Sequence, residues 1–439
     1  MTETRAFNAE GFAEFVDARN EPAWLTEKRR VAWKLFEELP MPGRGDEEWM
    51  RTDIRLLKLD QFGLPSDPGS VLEGFDPALL PEALLTQGVK LAGHTVALDS
   101  CIVQSHLDES LAAKGVLFGS LDEMIAQHGD LLRPYLYRTL NPAYDRFAAL
   151  HTAAWSGGTL LYVPRGVKFD QPLHTLSTLS EGGVDFGHLL VILEEDAEAT
   201  LLSETAGGGP TGKGLHCGGI ELILKDRAKL RYVNLQNWGT GVWHFAHQKA
   251  HVAADAQLQW TIGALGSRVA KVNQHVALVG PNAHAQVNGV MFPEGKQHLA
   301  YHTLQHHEAP NCRSDLLYKG GLQDHSRLVW RGMIKVDVAA QKTDGYQRND
   351  NLMLSEHARA DSIPGLEIEA DDVRCTHGAT AGRVDDDSIF YLRCRGLTRN
   401  EAVRTVVAGF FQQVFDRITI ESVREALGEA IGRRIREFN

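Results

Sequence analysis

Apolar residues recur at helical spacing from Gly11 to Leu39: Phe12, Phe15 and Val16, then Trp24, Leu25, Val31, Ala32, Leu35 and Phe36. Pro22 divides this pattern and Pro40 ends it. Between Pro40 and Pro81 the chain is rich in Pro, Gly and Asp, which predicts loops and short elements around DEEWMRTDI, and a mixed segment follows to about Ala154. Past Trp155 the character changes. Short β-prone runs alternate with Gly, Asp, Asn and Pro, and no long amphipathic helix is predicted until Asp385. There Asp385 to Asp387 precede Ile389, Phe390, Tyr391 and Leu392, with Arg393, Arg395 and Gly396 following, the charge order and stop signal of a helix. Thr398 and Glu401 have capping-box spacing. The next helix then carries Ala402, Val403, Val406, Val407, Phe410, Phe411, Val414 and Phe415 on one broad apolar stripe. That stripe needs a cover, either the core and the final helix (Val423, Leu427, Ile431, Ile435) or a partner protein.

Within the β-prone region a pattern repeats: a polar turn, a small residue, then alternating apolar positions. It reads EEDAEATLL at 194, KDRAKLRYV at 225, AADAQLQWT at 253, GPNAHAQVNGV at 280, QDHSRLVWRG at 323 and SEHARADSI at 355. The small residues Ala197, Ala228, Ala256, Ala283, Ser326 and Ala358 are spaced by 31, 28, 27, 43 and 32 residues. Such a period with short strands predicts stacked coils, in which a small corner residue lets successive coils approach. A β-sandwich also has short strands between turns but predicts no small residue at a fixed place in each unit. The expected organisation is a helical or mixed region at 1–154, a β-solenoid core at 155–384 and a helical domain at 385–439.

Composition sets outer limits. With 439 residues, 43% hydrophobic and 23% charged, the chain can bury a large core. A formal net charge of −12, with no long Lys/Arg cluster, argues against a nucleic-acid partner. The acidic, polar start MTETRAFNAEGFAEF predicts no secretion signal, and no apolar run reaches membrane-spanning length, so no membrane association is expected. Cys101, Cys217, Cys312, Cys375 and Cys394 are odd in number and scattered, which fits a reducing compartment, the cytoplasm by default.

Candidate chemistry is sparse. In LEIEADDVRCTHGAT, Cys375 and His377 stand two apart on an apparent strand. Side chains at i and i+2 point the same way, and thiolate and imidazole are both metal ligands. Two donors rarely complete a site, so the others must come from elsewhere in the chain or from a partner; the alternative is a buried cysteine beside a surface histidine. GGGPTGKG at 207–214 resembles a phosphate loop through Gly207, Gly212 and Lys213. Gly214 stands where a hydroxyl must reach magnesium, however, and no helix follows, so a glycine-rich turn is expected. Histidines crowd between His284 and His325, including His298, His302, His306 and His307, with Glu308 and Cys312 nearby. They complete no HExxH or paired CxxC spacing, and His302 and His306 are expected to share a face only on a helix. There is no nucleophile elbow, dinucleotide fingerprint or kinase motif set.

The run VAAQKTDGYQRNDNLMLSEHARADSIPGLEIEADDVRCTHGATAGRVDDDSIFYLRCRG strongly resembles the SufD family of iron–sulfur cluster assembly proteins. The likeness extends through GGIELILKDRAKLRYVNLQNW at 218–238, LYVPRGVKFDQPLH at 161–174 and, more faintly, DEEWMRTDIRLLKL. It implies a mainly β fold: a right-handed parallel β-helix flanked by an N-terminal helical region and a C-terminal helical domain. It further implies a non-enzymatic scaffold subunit that pairs with a SufB paralogue through the β-helix ends. On the same likeness the C-terminal helices carry SufC, an ABC-type ATPase, around 388–411. No stably bound cofactor is implied, only a transient iron–sulfur cluster or iron at the subunit junction, with His377 as the ligand and Cys375 its neighbour at the site. ADDVRCTHGAT is SufD-like; SufB-like chains carry a glutamate- and histidine-bearing motif there. Two other readings stay open: a metal-dependent β-helix enzyme using the His284–His325 region, and a homodimer of this chain.

Overall fold

A computed structural model of the chain describes residues 5–65, 68–73, 75–207 and 212–435. Its centre is a parallel β-solenoid of about eight turns, each contributing one strand to each of two ten-stranded sheets. Sheet I runs from the hairpin Gly93–Leu98/Cys101–Leu107 to the strand Arg374–Arg383, and sheet II from Leu117–Ser120 to Arg359–Ile368. The strands alternate inner and outer side chains, and the inner rows stack in register. One such row on sheet I is Leu201, Tyr232, Trp260, Val287, Leu316, Gln347 and His377. The first six of these are almost completely buried.

The corner repeat has a definite cause, and the structure corrects its membership. On leaving sheet II for sheet I the chain turns through Asp196, Arg227, Asp255, Asn282, Asn311 and Lys342, all with φ between 56° and 62°. Asp and Asn tolerate this left-handed conformation better than most residues. Each is followed by a small buried residue: Ala197, Ala228, Ala256, Ala283, Cys312 and Thr343. Ser326 and Ala358 instead precede strands Arg327–Val336 and Arg359–Ile368, at the opposite corner. The 43-residue gap arose from joining two corner series; Cys312 and Thr343 are the missing members, and the Cys312 thiol donates to Gly280 O at 3.2 Å in the coil before.

Helices Ala9–Arg19 and Ala23–Glu38 form where the N-terminal periodicity predicts, the first capped by the Asn8 side chain. With Arg146–Ala154 they cover part of the outer face of sheet II, burying Phe147 against Phe245 in a stacked pair 3.8 Å apart. Arg29, fully buried, binds Glu21 through two nitrogens and donates to the carbonyls of Ala153 and Trp155. The tail folds as Asp386–Cys394, Arg399–Phe415 and Glu421–Arg434, and the Thr398/Glu401 capping box is present. Most of its apolar stripe packs on the outer face of sheet I, with Val407, Phe411 and Val414 against Val290, Phe292 and Leu317. Lys319 and Arg417 tie the two together, through Phe410 O and Asp315.

Of the phosphate-loop candidate, residues 208–211 lie outside the described residues. Gly207 ends a strand of sheet I and Lys213 opens a strand of sheet II.

Candidate functional site at the open end of the solenoid

The two ends of the solenoid are built differently. At the first coil both sheets finish in strands paired antiparallel to their neighbours, Cys101–Leu107 and Leu117–Ser120. At the last coil, among the described residues, Arg359–Ile368 pairs only with Arg327–Val336, and Arg374–Arg383 only with Asp344–Met353. Each therefore has one open edge of backbone donors and acceptors. Pro364, which lacks a donor, sits in one of these edge strands, the place where a sheet accepts proline.

Cys375 and His377 stand on the second of these strands, opposite Gly345 and Gln347 of the coil before. Both partners are buried inner residues, so the Cys-x-His pair lies on the lumen side of the last coil, as i, i+2 spacing on one strand requires. The two α-carbons are separated by about 7 Å. Cys375 is half-buried beside Ile334, Val336, Ala340, Ala370 and Val373. The absence of a side chain at Gly345 makes its room, since a Cβ there would come within 3.2 Å of its sulfur. Burial pushes its thiol above the ordinary range; the Gly345 backbone opposes this and Asp344 adds to it. A thiol in that setting is protonated near neutrality and becomes a ligand only when a cation or metal draws the proton off. His377 is exposed, with no hydrogen bond or ion pair among the described residues.

The mouth around this pair is apolar on its other side. Leu366 and Ile368 continue the sheet II inner rows of Ile334 and Val336, both fully buried, yet are themselves 37% and 40% exposed because no further coil covers them. Sequence reasoning missed these two residues. The alternation in LEIEA was legible, but it does not distinguish a last strand from an interior one. Beneath His377, Gln347 closes the lumen, its amide donating to Gly365 O at 3.0 Å.

The histidine-rich region disperses. His284 lies on the outer face of sheet I, His307 is buried in the lumen against Ser314 Oγ at 2.8 Å, and His325 occupies a turn. His298, His302 and His306 do share a face, the outer face of sheet II, although on a strand and not a helix. Period-two alternation puts i and i+4 on the same side, about 13 Å apart, too far to share one ion. Among the described residues no group of three or more His, Cys, Asp or Glu is placed to hold a metal ion. Sequence reasoning also missed the buried acids Glu204 and Glu221. Glu204 accepts from the backbone N–H groups of Leu84 and Leu85, and Glu221 from those of Tyr137 and Thr139, which clamps the N-terminal loops to the solenoid.

The architecture defines a β-solenoid protein with helical extensions and an uncapped terminal coil. Comparison with known proteins gives it a family. Residues 175–410 match the model described as SUF system FeS cluster assembly, SufBD core domain, and residues 88–175 match the SufBD protein N-terminal region. An iron–sulfur cluster assembly SufBD family protein of Staphylococcus aureus (strain MRSA252) is 27% identical over 418 residues, covering 93% of this chain and 89% of the relative. Counterparts from S. aureus (strain USA300) and Staphylococcus haemolyticus (strain JCSC1435) match to the same extent. The chain belongs to the SufBD family of iron–sulfur cluster assembly proteins. No helix among the described residues is long and apolar enough to cross a membrane.

Proposed function

We propose that this chain is the SufD-type, non-catalytic scaffold subunit of a cytoplasmic iron–sulfur cluster assembly complex. In this reading its open coil end docks against the corresponding end of a SufB-like paralogue. Cys375 and His377 are then this chain's share of a transient site for the nascent cluster or its iron, which is cargo and not a resident cofactor. The observation that carries the reading is the terminal coil. It combines two strand edges that face no further strand among the described residues, the exposed apolar pair Leu366 and Ile368, and the donor side chains of half-buried Cys375 and exposed His377 on one rim. Strand edges and apolar rim are what a partner's strands would cover, and the incomplete donor set is what a second chain would complete.

The C-terminal helices are the proposed seat of a SufC-like ABC ATPase. Phe411 is consumed in packing, but Phe390 and Tyr391 are 67% and 56% exposed, and the Arg395 guanidinium lies 4.9 Å from the Tyr391 ring. Exposed aromatics with an arginine are the residue types that anchor protein interfaces.

Co-expression with SufB-like and SufC-like proteins of the same genome tests the assignment. A three-protein complex is expected, from which Leu366→Arg/Ile368→Asp releases the SufB-like protein and Phe390→Ala/Tyr391→Ala releases the SufC-like one. Cluster formation on the complex is expected to fall at least tenfold in His377→Ala. If the wild-type proteins do not associate, or if a homodimer through this end excludes the paralogue, the assignment fails.

A further inference from the structure

The outer face of sheet II holds a second candidate site, remote in role from the terminal coil. Helices cover this face only in part. Beyond Phe245 the next row is His247, Asn273, His302 and Arg331, and the row after it is Lys249, His275, Leu304 and Met333. Between these rows, Glu48 and the 139–144 loop lies a cleft of about 480 Å³. That is within the range of small-molecule sites.

The charges of the cleft nearly all cancel. Arg331 binds Glu47 at 2.8 Å and Glu48 at 3.2 Å, and Lys335 binds Glu367 at 2.6 Å. Glu48 also accepts from the Tyr144 hydroxyl. Burial holds His275 neutral down to about pH 2, helped by Lys249, His306 and His251, and holds His302 neutral down to about 4 against the opposing pull of Glu48. Behind the wall, fully buried Lys271 is pushed down to about 7 by burial and donates to Asn273 Oδ1 at 3.1 Å. Lys249 is the exception. It is half-buried and lines the cleft, with no ion pair or hydrogen bond among the described residues. The two carboxylates whose field reaches it are engaged elsewhere: Glu221 accepts from Tyr137, Thr139 and Leu140, and Glu308 pairs with His306 at 3.2 Å. A cation withdrawn from water without a partner is costly, and it becomes favourable when an anion arrives. Leu140, Leu304 and Met333 line the same cleft and offer apolar contact beside that charge.

We propose that this cleft binds a small organic anion, an oxyanion group carried on an apolar body, with Lys249 as its counter-ion and Leu140, Leu304 and Met333 around the body. The experiment titrates the purified full-length chain with benzoate and with phenyl phosphate, using calorimetry and the Met333 methyl resonance. Benzyl alcohol is the neutral control and inorganic phosphate the bare ion. Saturable binding of at least one aromatic anion is expected, shifting the Met333 methyl. It should weaken at least tenfold in Lys249→Gln, recover in Lys249→Arg and stay unchanged in Lys229→Gln, whose lysine lies on the other sheet. Circular dichroism of each variant checks the fold. Benzoate against phenyl phosphate identifies the head group. The proposal is overturned if neither aromatic anion saturates, if benzyl alcohol binds as well as benzoate, if inorganic phosphate binds as well as phenyl phosphate, or if Lys249→Gln binds like wild type.

Discussion

The closed and open ends of the solenoid are made from the same kind of strand but obey different energetics. At the closed end the inner residues are sealed by antiparallel strands and helices. Trp155, which caps the helix Arg146–Ala154 and packs between it and the outer face of sheet II, is fully buried under the Arg29 guanidinium, 4.5 Å from its ring, and on the inner side Asp185 is buried among Ser100, Gly187 and His216. At the open end the equivalent inner rows emerge as Leu366, Ile368, Cys375 and His377, none of them fully buried. Changes at the closed end should therefore be read in folding stability, and changes at the open end in association and cluster chemistry.

The sharpest test of that contrast is Trp155→Ala. Removing a fully buried indole should cost about 3–5 kcal/mol in urea unfolding, whereas Leu366→Ala or Ile368→Ala in the isolated chain should cost less than about 1 kcal/mol. Comparable losses at both ends would break the comparison. Next comes pH. Burial raises the Asp185 carboxyl to about 7, against the pull of the Gly187 N–H. A folded-state value above the unfolded one means that the native chain holds a proton the unfolded chain releases. Stability should therefore decline as pH rises from about 4 to about 7, by up to about 4 kcal/mol from this group. Asp185→Asn should flatten that segment of the urea-midpoint profile; an unchanged slope would show that water reaches the carboxylate.

At the open end, Leu366→Arg/Ile368→Asp should weaken association with the SufB-like partner at least a hundredfold, about 2.7 kcal/mol, with the melting temperature of the isolated chain within a degree or two of wild type. Smallest of all in stability, His377→Ala should change unfolding by less than about 0.5 kcal/mol, since the ring is exposed and unengaged. Its effect should appear only in cluster formation on the complex. A large loss of stability in the isolated chain would assign it a structural role.

Much of this organisation was legible in the chain. The 3.6-residue apolar spacing, Pro22, Pro40 and the Thr398/Glu401 box located helices because those signals act within a turn or two. Asp–Ala and Asn–Ala corners revealed the coil period because a left-handed turn restricts residue type locally. The Cys312 and Thr343 corners escaped because a thiol or a hydroxyl side chain can fill a space otherwise given to alanine, and two corner series were consequently merged. Glu204 and Glu221 escaped for another reason: the backbone groups they bind lie 81 to 120 residues away.

What the sequence by itself determined is therefore local: helix limits, strand alternation, the coil repeat, and the common face of Cys375 and His377. Which coil came last was decided by the tertiary structure. LEIEA and RCTHGAT alternate like interior strands, and only the absence of a further coil turns their inner residues into an exposed rim. The cleft around Lys249 is likewise tertiary, because whether a lysine has a counter-ion depends on where carboxylates from distant strands and loops are already engaged. Backbone geometry is written residue by residue, whereas burial and charge balance are sums over neighbours that only the folded chain brings together.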